Sequence, residues 1–276
     1  MGRVFVLGSL NVDLVTRVER HPRPGETLMG EGLARFAGGK GANQAVAARA
    51  AGADVVMLGA VGEDDGGAAY RRRLAALGID AGPVSVEAGA VTGHAIITVD
   101  AAGENVIVVV PGANAAVSAS HLSALDQAGP GDVLLASLEV PVAAVVAAVR
   151  RATGAGARVV LNLAPYAALP HDVVALADPV VVNEHEALAL ADAGQVPGSL
   201  LVTFGANGAA WDGIPAPAVG VPEGEVLDTT GAGDAFCGAL AAALARGLGR
   251  DEALAAAMEA GAEAVRRHGA QPDPAL

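Results

Sequence analysis

The stretch VLLASLEVPVAAVVAAVRR, residues 133–151, decides the fold. Val133–Leu138 is apolar at nearly every position, as a strand buried on both faces must be. Pro141 sits where a helix opens, because the first helical turn has no use for the N–H that proline lacks. Val142–Arg151 follows as alanine- and valine-rich helix. A doubly buried strand running straight into a helix is the unit of a parallel sheet covered on both sides.

The same alternation extends in both directions. Met1–Gly8 lacks the length of a leader and reads as a buried strand, Arg3–Leu7. Ala42–Ala51 reads as a helix ended by Gly52, Val55–Val61 as a strand, and Ala68–Leu77 as a helix stopped by Gly78. Arg158–Leu163, Val180–Val182 and Leu200–Phe204 are short apolar strands, and Phe236–Arg246 and Asp251–Arg267 are closing helices. The expectation is one α/β domain over 1–276, with a mostly parallel sheet flanked by helices. One region breaks the rhythm. His94–Asp100 and Asn105–Val110 flank an Ala-Ala-Gly turn and predict a hairpin. Val12–Val18 and Glu26–Phe36 lack helical periodicity and supply partner strands. The lid strands thus come from about 12–36 and 93–110, giving a small β-sheet that is either a lid beside a cleft or an edge extension.

Composition narrows the partners. Mean hydropathy is +0.45, yet no long uncharged apolar run predicts a membrane span. A formal net charge of −13 repels nucleic acid and anionic lipid, so neither is expected as a partner. It repels nucleotides too, so a phosphate site must be built locally from amides and a few cations. Cys237 is the only cysteine. It excludes an internal disulfide, suits a cytoplasmic location, and reads as a small buried side chain. The histidines are scattered without a close metal-binding pair.

Three clusters carry chemistry. In Asp228-Thr229-Thr230-Gly231-Ala232-Gly233-Asp234, two glycines precede a helix, where backbone N–H groups and the dipole favour an anion. Asp234 beside that anion hole is placed to accept a hydroxyl proton, as a phosphoryl-transfer base does. The same residues also read as an aspartate N-cap in a glycine turn. Gly38-Gly39-Lys40-Gly41-Ala42-Asn43 opens another helix without Walker A spacing. Its Lys40 and Asn43 suit hydroxyl recognition, or it is a plain tight turn. Asn11 and Asp13 follow the first strand, face one way in extended chain, and suit sugar hydroxyls or an Asx turn. Glu139, the Asn183/Glu186 pair, and the turn holding Thr203, Gly205 and Gly208 also follow strands. Asn183 and Glu186 suit Mg²⁺ held through water, or a helix start.

Taken in order, these clusters resemble the ribokinase family of sugar kinases nearly end to end. The match includes Gly-Ser-x-Asn-x-Asp, Gly-Gly-Lys-Gly-Ala-Asn-Gln, Gly103-Glu104-Asn105, Pro111-Gly112-Ala113-Asn114, Leu138-Glu139, Asn162-Leu163-Ala164-Pro165, Asn183-Glu184-x-Glu186, Val202-Thr203-x-Gly205, Asp-Thr-x-Gly-Ala-Gly-Asp and Gly269-Ala270-Gln271-Pro272. The resemblance implies a Rossmann-like ribokinase fold with a β-sheet lid, and a homodimer paired through lid sheets. It implies ATP-dependent phosphorylation of the primary hydroxyl of ribose or a related pentose. Asn11, Asp13, Gly39, Lys40, Asn43 and Glu139 would line the sugar site, with Asp234 as base and Gly231, Ala232 and Gly233 as anion hole. Asn183 and Glu186 would organise Mg²⁺ and the phosphates, and Thr203, Gly205 and Gly208 would border ATP. A K⁺ ion would sit at Asp228, Thr230, Ala264, Gly269 and Asp273.

The chain departs from the family pattern in places. Glu186–Leu200 is short by more than a helical turn, so a peripheral helix is trimmed or lost. Leu163 replaces a proline, Gly213–Gly224 is compact, and Asp273 stands where serine is common. A nucleoside kinase on the same scaffold would need an apolar or aromatic wall. Phe36 is the only aromatic near a sugar segment, which disfavours that reading. A non-catalytic sugar sensor would have no need of Asp234.

Overall fold

A computed structural model of the chain describes residues 2–276, apart from the side chain of Glu223; Met1 lies outside. Six strands form the parallel heart of the main sheet: β1 (Arg3–Leu7), β4 (Asp54–Leu58), β9 (Val133–Ser137), β10 (Arg158–Asn162), β11 (Val180–Asn183) and β12 (Leu200–Thr203). The full sheet adds β13 (Ala209–Trp211) and β14 (Ile214–Ala216), in the order β14-β13-β12-β11-β10-β9-β1-β4. These last two strands are antiparallel and were not foreseen.

Successive strand side chains point to opposite faces, and both faces are covered. Val4, Val6, Leu135 and Val160 pack beneath α1 (Lys40–Ala50), α6 (Ala232–Ala245) and α7 (Arg250–Ala264). Phe5, Leu7, Leu134 and Leu161 pack on the other side beneath α3 (Val142–Gly154). This explains why the strands read as unbroken apolar runs. Helix α6 is buried from Asp234 to Ala245, squeezed between α1, α7 and the sheet. The close approach of α1 and α6 depends on Gly238. A Cβ there would lie 2.5 Å from the Gln44 carbonyl oxygen and 2.6 Å from the Ala47 Cβ.

The second sheet has the order β3-β2-β7-β8, from β2 (Asn11–Arg17), β3 (Glu31–Gly38), β7 (Gly93–Val99) and β8 (Asn105–Val110). The predicted hairpin is present, and the two segments predicted as its partners pair with it through a parallel β2–β7 contact. The expected strand Val55–Val61 is two strands. At Gly59 the chain passes the Gly8 carbonyl and Leu10 and leaves the main sheet. β5 (Ala60–Gly62) then pairs with β6 (Ser85–Glu87). Helix α2 (Asp65–Ala76) starts earlier than expected because Asp64 caps it, accepting from the Gly67 N–H. Helix α4 (His171–Ala175) was not predicted, while α5 (Glu184–Asp192), capped by Asn183, is the helix start that Asn183 and Glu186 also allowed, and its 9 residues run into the short 186–200 region. No helix among the described residues is long and apolar enough to cross a membrane.

Candidate active site

The polar residues singled out from the sequence collect beyond the carboxyl ends of the parallel strands, where open α/β sheets bind ligands. Asn11 follows β1, Glu139 follows β9, and Asn183 and Thr203 end β11 and β12. Helix α6 enters this space with its N-terminus. Gly231 caps it at φ +77°, and a Cβ at Gly231 would lie 2.6 Å from the Ala270 Cα. No other residue fits both the turn and that contact.

Asp234 lies inside the first turn of α6, so it is not the N-cap that its local sequence also allowed. Its side chain is buried and clamped by α1. Asn43 Nδ2 donates to Oδ2 at 2.9 Å, and Gln44 Nε2 donates to Oδ1 at 2.9 Å. Burial raises its pKa above the usual carboxylate range, although Lys40 and the two amides oppose that rise. A carboxylate with a raised pKa accepts a proton more readily than an ordinary aspartate. For Lys40, burial works against the charge. The carboxylates of Asp234, Glu139 and Glu186 outweigh it and hold the ammonium charged.

On one side of Asp234 lie the sugar candidates. The Asp13 carboxylate rests against Gly38, where an added Cβ would meet Oδ2 at 2.1 Å. Burial, then repulsion from Glu139, pushes the Asp13 pKa up to about 7. Asn11 is buried, and its Oδ1 accepts from Asn114 at 2.8 Å. Its own amide is the group left for a ligand. Gly39, at φ +89°, turns the chain into α1. Glu139 accepts from the Lys40 backbone N–H at 3.0 Å and from the Ser9 hydroxyl. It therefore stabilises the start of α1 by charge and hydrogen bond.

On the other side are two cavities. The smaller, about 150 Å³, is lined by Lys40, Asn183, Glu186, Gly231, Gly233 and Asp234 among others. The larger, about 540 Å³, runs from Thr203, Gly205 and Gly208 over Val219, Val226, Met258 and Val265. Gly233 lines both, and the space where its Cβ would stand is open. The compact 213–224 region supplies part of the apolar wall through Val219 and Val221, which the sequence did not indicate. Asn183 and Glu186 close a capping box on α5. Each backbone N–H meets the other's side-chain oxygen, at 2.8 and 2.9 Å.

The metal candidates are oxygen donors. No group of three or more His, Cys, Asp or Glu side chains among the described residues could hold a metal directly. Mg²⁺ keeps much of its water and takes few protein ligands, so one carboxylate such as Glu186 facing a phosphate site fits it. Asp228 accepts from the backbone N–H of Thr230 at 2.8 Å and of Gly269 at 2.9 Å. Burial opposes its charge, but those bonds and His268 hold its pKa below the usual value. Ala264 ends α7 one residue before Val265, whose carbonyl accepts from Leu227 at 2.8 Å. Asp273 follows on the same loop at φ +43°. Carbonyl and carboxylate oxygens of this kind suit K⁺.

Sequence reasoning missed four participants. Gln44 bridges Asp234 and Asn162, the latter at 3.0 Å. Gln271 is fully buried and donates to Asn43 Oδ1 at 2.8 Å. Asn114 fixes Asn11. Tyr70, also fully buried, donates to the Gly38 carbonyl at 2.6 Å. Phe36 is therefore not the only aromatic near the sugar segments, because α2 brings Tyr70 there from a distant part of the chain. Gln44, Asn114 and Gln271 stand inside quoted motifs, and their polarity within apolar helix or loop was the available signal.

Known proteins align with this arrangement over its whole length. The model for the pfkB family carbohydrate kinase matches residues 1–276. Ribokinase from Bacillus subtilis is 36% identical over 287 residues, covering 98% of this chain and 95% of its own. Ribokinase from Schizosaccharomyces pombe is 35% identical over 298 residues, with 98% and 94% covered. The structure of Arabidopsis thaliana ribokinase complexed with ribose and ATP superposes with a TM-score of 0.86 at 28% identity, covering 99% of this chain and 96% of that one. That of Thermotoga maritima ribokinase gives 0.85 at 29%, with 98% and 95% covered. The expected ribokinase fold is thereby established. With its sheet order, its clamped aspartate at a glycine-capped helix and full-length matches of this kind, the chain belongs to the pfkB family of carbohydrate kinases.

Proposed function

We propose that the protein is an ATP-dependent ribose kinase that phosphorylates the primary 5-hydroxyl of D-ribose or a close pentose. The observation that carries this reading is the position of Asp234. Its carboxylate is gripped by Asn43 and Gln44 between the Asp13 side and the cavities that meet at Gly233. Asp13, Asn11 and the turn at Gly39 and Lys40 bind and orient the sugar hydroxyls. The apolar walls of the large cavity take the base of ATP, with Thr203, Gly205 and Gly208 at its edge. Asp234 takes the proton of the 5-hydroxyl as its oxygen bonds to the γ-phosphorus. The bridging bond to the β-phosphate breaks, and ADP leaves. Amides at Gly231, Ala232 and Gly233 face the charge that builds on the transferring group, while Lys40 spans the two subsites.

Asn183 and Glu186 would hold Mg²⁺ through its water, and Asp228, Thr230, Ala264, Gly269 and Asp273 would hold K⁺. When bound, the two ions neutralise phosphate charge and brace the anion hole. The four-stranded sheet acts as a lid inserted in a single domain over 1–276, excluding water from the transfer. Its edge strand β8 is exposed along its whole length, which supports a homodimer joined through lid sheets. A lone, buried thiol suits a cytoplasmic setting.

The test is ADP release with MgATP and K⁺ across pentoses, hexoses and nucleosides. Saturable turnover strongest with ribose supports the assignment. Turnover confined to nucleosides replaces the substrate, and a folded protein inactive with all of them removes the kinase reading.

A further inference from the structure

Behind Asp234 a buried chain of hydrogen bonds runs away from the reacting groups and ends on a cation. Arg73 donates to Gln271 Oε1 through Nε at 3.3 Å and Nη2 at 3.2 Å. Gln271 Nε2 donates to Asn43 Oδ1 at 2.8 Å and to the Tyr70 hydroxyl at 3.1 Å. Asn43 Nδ2 donates to Asp234 at 2.9 Å. An amide has one accepting and one donating end, and guanidinium only donates. Arg73 therefore fixes which end of Gln271 faces it, and that choice propagates. Gln271 must present N–H to Asn43, and Asn43 must present N–H to Asp234. A third bond from Arg73, to the Pro272 carbonyl at 2.9 Å, keeps the guanidinium in place.

We infer that Arg73 and Gln271 are positioning residues for the catalytic base, setting the polarity of the Asn43 amide so that a donor faces the Asp234 carboxylate. The inference rests on Asp234 being the base. Its consequence is electrostatic. An N–H donated to a carboxylate favours the charged form, and a carbonyl turned toward it does the reverse. With the chain intact, Asp234 stays ionised to lower pH despite its burial. The other titratable groups facing Asp234 are Lys40 of α1, Glu139 after β9, Tyr70 of α2 and Cys237 on α6. Burial pushes the Tyr70 phenol and the Cys237 thiol upward, and Lys40 is held charged, so none of these three titrates near neutrality. The loop that carries Gln271 also carries Gly269, bonded to Asp228, so the network joins the base to the proposed cation loop.

The experiment is the pH profile of kcat at saturating ribose, which leaves the Asp13 titration in KM. The variants are Gln271→Met, Arg73→Met, Arg73→Lys and Asp234→Asn. Gln271→Met is expected to move the acid limb up by about one pH unit and so lower kcat on that limb by up to about tenfold, with kcat on the plateau and KM for ribose changed less than about threefold. Arg73→Met should shift the limb the same way, and Arg73→Lys, still a pure donor, should restore it. Arg73 is only half-buried, so this pair carries the test even if Gln271→Met fails to fold. An unmoved acid limb in the folded variants, or a loss uniform across pH that Lys does not rescue, overturns the inference. Substantial turnover by Asp234→Asn overturns the underlying assignment instead.

Discussion

Gln44 and Asp234 are 190 residues apart in the chain, yet the Gln44 amide donates to the Asp234 carboxylate at 2.9 Å. The same amide nitrogen reaches Asn162 on β10, while the side-chain Oε1 of Gln44 is buried with no partner among the described residues. Leaving a polar atom unpaired in a core costs about 1–3 kcal/mol. The α1–α6 contact at Gly238 supplies the packing that holds this arrangement. The outcome is a carboxylate buried without a counter-ion in hydrogen-bond contact, gripped by two amides and facing a cavity.

The first prediction concerns that carboxylate. Asp234→Asn keeps the shape and removes the proton acceptor, so kcat should fall about 10²- to 10⁴-fold. Ribose affinity by calorimetry should stay within a few-fold, because the proposed recognition groups, Asp13 and Asn11, are untouched. Stability should change little: one amide meets a donor where it needs an acceptor, but a buried charge is removed. Near-normal turnover by this variant would exclude Asp234 as base.

Gly38→Ala isolates the sugar side. The backbone at Gly38 tolerates alanine, but the new Cβ would lie 2.1 Å from Asp13 Oδ2 and must displace it. A displacement on the order of 1 Å costs about a hundredfold, so kcat/KM for ribose should fall by about that factor. ADP binding, measured by fluorescence or calorimetry, should be unchanged. An equal loss on both sides would mean that Asp13 does not bind sugar.

Asp13 also gives a pH dependence. Its pKa in the folded protein is raised to about 7, first by burial and then by Glu139, from an ordinary aspartate value of 3.8. Between those values the folded chain binds more protons than the unfolded one. The stability this contributes is complete below the unfolded value and is lost as pH rises through about 7. The ligand-free protein should therefore lose thermal stability from pH 5 to 7.5, and Asp13→Asn should lessen that loss. In the proposed sugar site ribose binding should run the other way, because an ionised carboxylate can accept from two hydroxyls. KM for ribose should fall as pH rises from 6 to 8, and a flat KM would remove Asp13 from recognition.

The sequence showed the main sheet clearly because strands covered on both faces leave unbroken apolar runs, as in Val133–Leu138. It showed the lid strands because they lacked helical periodicity. The β2–β7 pairing was hidden, since nothing local in Val12–Val18 specifies a parallel partner some eighty residues away. The strands β13 and β14 were too short to register as a period. Glycine–polar motifs marked Asp13, Lys40, Asn43 and Asp234, because tight turns need particular residues at particular spacings. Tyr70 carried no such mark, and Gln271, although inside the Gly269–Pro272 motif, gave no local sign of its partner. Their bond joins positions 201 residues apart, and only the packing of α2 against the loop after α7 brings them together.

The last prediction concerns the ion. Asp273 sits at φ +43° in the loop that Asp228 ties to the start of α6 through Thr230 and Gly269. A positive φ penalises most side chains, and Asn tolerates it as well as Asp does. Asp273→Asn therefore removes a charge and leaves the loop in place. If the carboxylate strengthens K⁺ binding, the half-saturating K⁺ concentration for turnover should rise about two- to fivefold, the range expected for one exposed charge. kcat at saturating K⁺ should be unchanged, because the anion-hole amides keep their geometry. Asp273→Ser should raise the K⁺ requirement similarly and add a small loss of stability from its less tolerated backbone. An unchanged K⁺ titration in both variants would place Asp273 outside the ion's coordination and leave Asp228 and the loop carbonyls as its holders. Loss of kcat at saturating K⁺ would instead tie Asp273 to the shape of the anion hole.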